Sequence, residues 1–277
     1  MKTFAPRTFF AAAFGSLTRR KDGIPATKNT CTLLRLEWNG VFCVYCVGVN
    51  MKILVCFLAF LSVFAAVLHA RGGRETMEFG IGWHRVSDSA SVRGYSEGEF
   101  IDFELVDVYS GLQLDIAGTN WFLGNFGLAT NVGFFLPSSV RQDTAVGSLS
   151  MTETLGRSDF DSLWGMDTFI GPVFLVHDSG FIRIPVAAGF HWHWLFMEES
   201  EWHNGLLRST VSTLTALGAG LNVSAEVVLH PNIYLWGRLQ GWYAFGTIFR
   251  VEGTRIPRSN WNTWGIKPVA IGIGFQR

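Results

Sequence analysis

The chain has 277 residues, 48% of them hydrophobic and only 16% charged, with no formal net charge. That neutrality hides an asymmetry: residues 1–70 hold eight Lys and Arg against two Asp and Glu, so the remainder is acidic by about six charges. An acidic remainder excludes nucleic acid as a natural partner, and with all four cysteines placed before Ala70 it carries no disulfide framework.

Residues 1–50 contain Arg19, Arg20 and Lys21 and three of the cysteines, Cys31, Cys43 and Cys46, without a sustained helical or alternating pattern. They read as a non-native or processed leader, with Met51 as the functional start. Arg19-Arg20 lacks the apolar run that should follow a twin-arginine signal closely, and one Cys43-x-x-Cys46 pair is a weak metal or redox motif. Met51 to Ala70 then has the order of a secretory signal: Lys52 as the charged start, Ile53 to Val67 as the apolar run, and Ala70 as the small residue at the cleavage position. The alternative is an uncleaved anchor that borrows Val41 to Val49. Cys56 lies inside the apolar run, which argues against a lipoprotein.

After Ala70 the sequence predicts β structure, and no later run is long and apolar enough for a membrane helix. Alternation begins in Met77 to Arg85, where Phe79, Ile81 and Trp83 oppose Glu78, Gly80, Gly82 and His84. Phe100 to Ile116 is a less regular run. Gly127 to Leu136 sets Leu128, Thr130, Val132, Phe134 and Leu136 against Asn131 and Gly133, and Leu163 to Val176 is again irregular. Phe181 to Trp194 is the clearest: seven consecutive even positions from Ile182 to Trp194 are apolar, while the odd ones include Arg183, Gly189, His191 and His193. Thr213 to Val227, Ile233 to Phe245 and Val269 to Phe275 complete eight strands.

Connections alternate in length. Short turns are expected at Ala117 to Asn120, His177 to Gly180 and His230 to Asn232; long polar loops are expected at Ser87 to Glu99, Pro137 to Ser162, Leu195 to Ser209 and Ile248 to Asn260. An even strand count with short turns at one end and long loops at the other predicts an all-β fold, an eight-stranded antiparallel transmembrane barrel with short periplasmic turns and long extracellular loops. In that arrangement Trp83, Trp164, Trp192, Trp194 and Trp264 all lie near the long-loop interface and form a lipid-interface girdle.

The opposite faces supply the candidate lumen: Asp167, Arg183, His191, His193, Glu226, Trp236, Arg238 and Gln240. Arg183, Arg238 and Gln240 are expected to meet Asp167 or Glu226 across a narrow bore, because charge held where water is scarce needs a partner. Trp236, Trp242 and Phe135 on the same faces favour apolar cargo. His191-x-His193 has a spacing that zinc sites use, with His203 as a third candidate, but no carboxylate or cysteine completes the set; neither a metal nor a cofactor is expected. Glu198, Glu199 and Glu201 face a basic final loop carrying Arg250, Arg255 and Arg258, and the two loops are expected to pair with each other, engage a host surface ligand or simply carry solvated charge.

The signal segment, the stretch GLATNVGFFLP ending at Pro137 and the terminal strand VAIGIGF together resemble the small eight-stranded outer-membrane barrels, most of all the OmpW family. One departure is that Gln276 and Arg277 follow Phe275, where an aromatic residue usually closes the chain. The resemblance implies a porin-like channel in the outer membrane of a diderm bacterium, inserted by the barrel-assembly machinery, surrounded by lipid and passing small, often hydrophobic, solutes. A surface adhesin or ligand-binding barrel without channel activity is the alternative. A lipid-acting enzyme comes third, since no Ser, His and acid set faces the lipid, and no enzymatic activity is expected.

Overall fold

The computed structural model describes residues 74–96, 99–146, 149–203 and 206–277, apart from the side chains of 94–100 and 201–206. The leader and signal segments read above lie outside the described residues. Ten strands follow in order: β1 (Arg74–Ser96), β2 (Glu99–Leu123), β3 (Phe126–Val146), β4 (Leu149–Gly156), β5 (Ser162–Asp178), β6 (Ile182–His203), β7 (Leu206–His230), β8 (Ile233–Val251), β9 (Thr254–Arg255) and β10 (Ser259–Gln276). A single 3₁₀ turn, Arg157–Asp159, separates β4 from β5.

Eight of these strands close a ring. Antiparallel ladders run β1–β2–β3–β5–β6–β7–β8–β10, and β10 returns to β1 through pairs such as Phe79 with Ile273 and Trp83 with Val269. Closure leaves no unpaired backbone edge in the ring, the condition a sheet must meet to sit in hydrocarbon. The short strands β4 and β9 lie off it, paired with β3 and β8.

Alternation along each ring strand now has a physical meaning. Met77, Phe79, Ile81 and Trp83 on β1, Leu112, Leu114 and Ile116 on β2, Leu235, Leu239, Tyr243 and Phe245 on β8, and Val269, Ile271 and Phe275 on β10 are all exposed on the outer wall. Their neighbours Glu78, His84, Gln113, Asp115, Tyr234, Trp236, Gln240 and Lys267 are buried inside the ring. So wide an exposed apolar surface is untenable in water, and it forms the belt that a lipid-spanning barrel presents to acyl chains. Among the described residues no helix is long and apolar enough to cross a membrane.

The strands are longer than expected, and this corrects the connections. β2 and β7 have 25 residues each, about 80 Å of chain, whereas roughly 9–11 residues cross a bilayer. The expected loops at Ser87 to Glu99, Pro137 to Ser162, Leu195 to Ser209 and Ile248 to Asn260 are mostly ladder: β1 and β2 stay paired as far as Ser96 and Glu99, and β6 and β7 as far as His203 and Leu206. Beyond the belt both faces meet polar surroundings, so alternation fades while backbone pairing continues. The turns at Ser179–Gly180 and Pro231–Asn232 fall where expected, but the one expected at Ala117 to Asn120 falls at Gly124, whose φ of 55° makes it possible. Asn120 is buried within β2, so in a barrel a polar residue inside a strand is not a loop signal.

Above the belt the ring divides. Among the described residues no ladder joins β4 to β6, or β9 to the outer part of β10. The outer wall is therefore two sheets, β4–β3–β2–β1–β10 and β6–β7–β8–β9, parted by a break in backbone pairing on either side, the outer cleft, and joined at its floor by packed side chains.

Candidate functional site: the filled bore and the outer cleft

The bore is built in tiers, starting at the short-turn end. There the Arg183 guanidinium lies 3.0 Å from Glu226 Oε2, donates to Gln276 Oε1 at 2.7 Å and stacks 4.8 Å above the Tyr234 ring. Glu78 accepts from the Tyr234 hydroxyl at 2.8 Å and pairs with Arg238, which donates to Ser224 at 2.9 Å and covers the Trp236 ring at 4.6 Å. Room for that indole comes from Gly80, where an added Cβ would collide with the ring. A cavity of about 20 Å³ between Glu78, Asn131, Asn222, Glu226 and Arg238 has room for about one water, and below it a more open cavity of about 360 Å³ at the short-turn end is lined by Arg74, Asp178, Arg183, His230 and Gln276.

The next tier is a buried ion pair. Lys267 Nζ donates to both oxygens of Asp115 at 2.7 Å, and Gln113 and Asn131 donate to the same carboxylate at 2.9 and 3.4 Å. Above it, three imidazoles surround one acid: His84 Nδ1 lies 3.0 Å from Asp167 Oδ2, and His191 Nε2 and His193 Nδ1 lie 3.1 and 2.6 Å from Oδ1. Trp242 stacks on His191 and His193 with centroids at 4.7 and 5.3 Å. The nitrogens approach carboxylate oxygens, and among the described residues no group of three is placed to hold a metal ion. The side chain of His203 lies outside the described residues.

An apolar layer then closes the bore: Val86, Tyr109, Phe135, Val140, Leu163, Leu195, Met197, Leu214 and Trp242 pack as one buried cluster. It is also the floor of the outer cleft. Two contacts cross between the sheets there: the Tyr109 hydroxyl is 3.4 Å from Met197 Sδ, and Arg258, 5.3 Å above the Phe249 ring, donates to Asp88 at 2.6 Å. Asp88 also accepts from Thr263 at 2.6 Å and stands directly opposite Asp107 in the β1–β2 ladder.

All eight residues read as lumen candidates point into the ring, but their partners differ from those expected. Arg183 does meet Glu226. Asp167 belongs to the histidines and not to an arginine, which corrects the reading that no carboxylate accompanies His191 and His193; Arg238 takes Glu78, and Gln240 is buried beside Lys267 in the β8–β10 register. The sequence reading missed Asp115 with Lys267, and Asp88, which it placed in a loop. The five tryptophans all lie on the outer wall. Trp164 and Trp194 meet edge to face at 4.9 Å, with Phe134 and Phe196 at 5.7 and 5.8 Å from Trp164; Trp192 lies two residues below Trp194, and Trp83 and Trp264 stand apart on β1 and β10. Of the acidic and basic outer residues, Glu198 accepts from Ser209 and Arg258 turns inward to Asp88, while the side chain of Glu201 lies outside the described residues.

The carboxyl pair makes the cleft sensitive to pH. Burial, then the neighbouring Asp88, pushes Asp107 up to about 7, against the opposing pull of Arg258 and the Tyr109 hydroxyl; Glu199 adds to the rise. A carboxyl raised in the folded state binds its proton there more tightly than in the unfolded chain. Stability therefore falls as pH rises from about 4 through 7. Thermal unfolding in detergent is expected to occur at lower temperature at pH 8 than at pH 5, and Asp107→Asn is expected to shrink that difference. An unchanged difference in the variant removes Asp107 as the cause.

The geometry defines an eight-stranded antiparallel barrel with a belt of apolar residues outside and a packed polar interior. No protein-family model matches the sequence, and no curated protein matches it. Solved structures of similar shape include the outer membrane protease OmpT from Escherichia coli, 8% identical over 76% of this chain and all of that one, with a TM-score of 0.48. A major outer membrane protein from Thermus thermophilus is 18% identical over 71% of this chain and 99% of that one, TM-score 0.40. Ail, the attachment invasion locus protein of Yersinia pestis, is 11% identical over 75% of this chain and all of that one, TM-score 0.36. Likeness at this level carries no argument about activity or substrate.

Proposed function

We propose that the chain is an integral outer-membrane barrel with a closed bore, which works by binding at its outer cleft and hairpins and has no catalytic step. The observation that carries this reading is the filling of the bore. Each buried carboxylate described there, Glu78, Asp115, Asp167 and Glu226, has a basic partner, and the apolar layer from Val86 to Trp242 lies across the path above them. Opening a solute path requires separating buried ion pairs, which costs several kcal/mol each. Beyond the belt, Leu149, Met151 and Leu207 are exposed on the hairpins, apolar groups in a region that faces water and suited to contact with a surface ligand, including one on a host. Lipid surrounds the belt, and the barrel-assembly machinery inserts it.

The narrow channel implied by the OmpW-like resemblance is the second reading, favoured by Phe135, Trp236 and Trp242 facing the bore. Planar-bilayer recording separates the two. The purified protein is expected to insert without conductance steps; reproducible single-channel steps, with liposome swelling in a small apolar solute, restore the channel.

A further inference from the structure

The hairpin that ends β8 has an unusual pair at its tip. Glu252 and Gly253 have φ of 49° and 74°, the two positive values of a tight two-residue turn, and so β9 folds straight back onto β8. That register sets Arg250 directly opposite Arg255, on one face of the ladder, with both exposed. Side chains so placed start about 5 Å apart, and like charges in that position destabilise a ladder.

Neighbouring acids do not relieve the pair. The Glu252 carboxylate accepts from Val211 N at 2.7 Å while Glu252 N donates to Val211 O at 2.8 Å, fastening the turn to β7. Glu198 is held by Ser209, and Arg258 is turned to Asp88. Among the described residues neither Arg250 nor Arg255 has an ion-pair or hydrogen-bond partner, although Arg93 and Arg141 on other hairpins pair with Asp102 and Asp143. A rigid turn thus presents two uncompensated guanidiniums on one face. Two planar forks at that spacing suit a doubly charged tetrahedral oxyanion better than a single carboxylate.

Height above the belt selects the source. Phe245 is the last large exposed apolar residue of β8, and Arg250 follows it by five residues, about 16 Å along a tilted strand. This places the arginines level with the sugar and phosphate groups of an outer-leaflet glycolipid. We infer that Arg250 and Arg255 form a clamp for a phosphorylated head group of the surrounding outer leaflet, which fixes the second sheet of the outer wall against the lipid surface. This inference rests on the outer-membrane reading above.

The test uses the full barrel in nanodiscs of zwitterionic lipid doped with a bisphosphorylated glycolipid or its dephosphorylated form, with retained lipid counted by native mass spectrometry. Wild type is expected to retain the phosphorylated form, and Arg250→Gln with Arg255→Gln to retain it roughly tenfold less. Arg85→Gln, an exposed arginine beside Trp83, should leave retention unchanged. Each single substitution should give an intermediate loss, which covers the case of a double variant that fails to fold by gel heat-modifiability. Equal retention by wild type and variants, equal retention of the dephosphorylated lipid, or saturation by inorganic phosphate alone overturns the inference. A protein that does not enter nanodiscs at all instead overturns the membrane reading, so the two failures are distinct.

Discussion

Lys267→Met is expected to destabilise the barrel by about 3–5 kcal/mol, read from urea unfolding in detergent micelles by tryptophan fluorescence. Lys267 is the sole lysine of the described residues and is 1% exposed, with Nζ on both oxygens of an Asp115 that is itself buried. Removing the ammonium leaves a carboxylate with only amide donors from Gln113 and Asn131, in a space that water does not reach. Asp115→Asn in the same chain should recover much of the loss, because the amide that remains needs no counter-charge. A single-variant loss near zero would falsify the view that the bore is dry and packed, and with it the closed-channel argument.

Leu114→Arg, one position away in sequence, reports on the other side of the wall. Leu114 is 48% exposed in the middle of the β2 belt. In water an exposed Leu→Arg change is worth about half a kcal/mol or less. At the middle of a bilayer it costs about 2–4 kcal/mol. The expected result is a loss of that size, with poorer insertion into liposomes, measured by unfolding of the reconstituted protein. A neutral outcome identifies a water-soluble barrel, whatever its shape.

How much of this was legible in the sequence follows from what alternation can encode. A segment such as Phe181 to Trp194 sits between lipid and a polar bore, so its two faces differ sharply and its strand and inward residues can be read directly. Arg183, Glu226, Arg238 and Asp167 were thereby placed inside. Who meets whom was not legible: Arg238 and Glu78 are 160 residues apart, and Lys267 and Asp115 are 152 apart. Their meeting depends on the shear with which the ring closes, which no local pattern carries. Asp88 was lost for a different reason. Above the belt the contrast between faces weakens, so a continuing strand looks like a polar loop. Only direct register, Asp88 against Asp107 and Arg250 against Arg255, exposes the outer constellations.

The parting of the upper wall has a mechanical consequence. Within the bilayer each strand is held on both flanks, so the cylinder resists bending. Past it, β4 and β9 end as free margins, and each half behaves as a plate clamped at its base. Parting the plates costs no ladder bond, but it breaks what crosses between them, Arg258 to Asp88 and the packed apolar floor. Whatever wedges between them is gripped by the flexing of two stiff blades hinged on the Tyr109–Met197 floor.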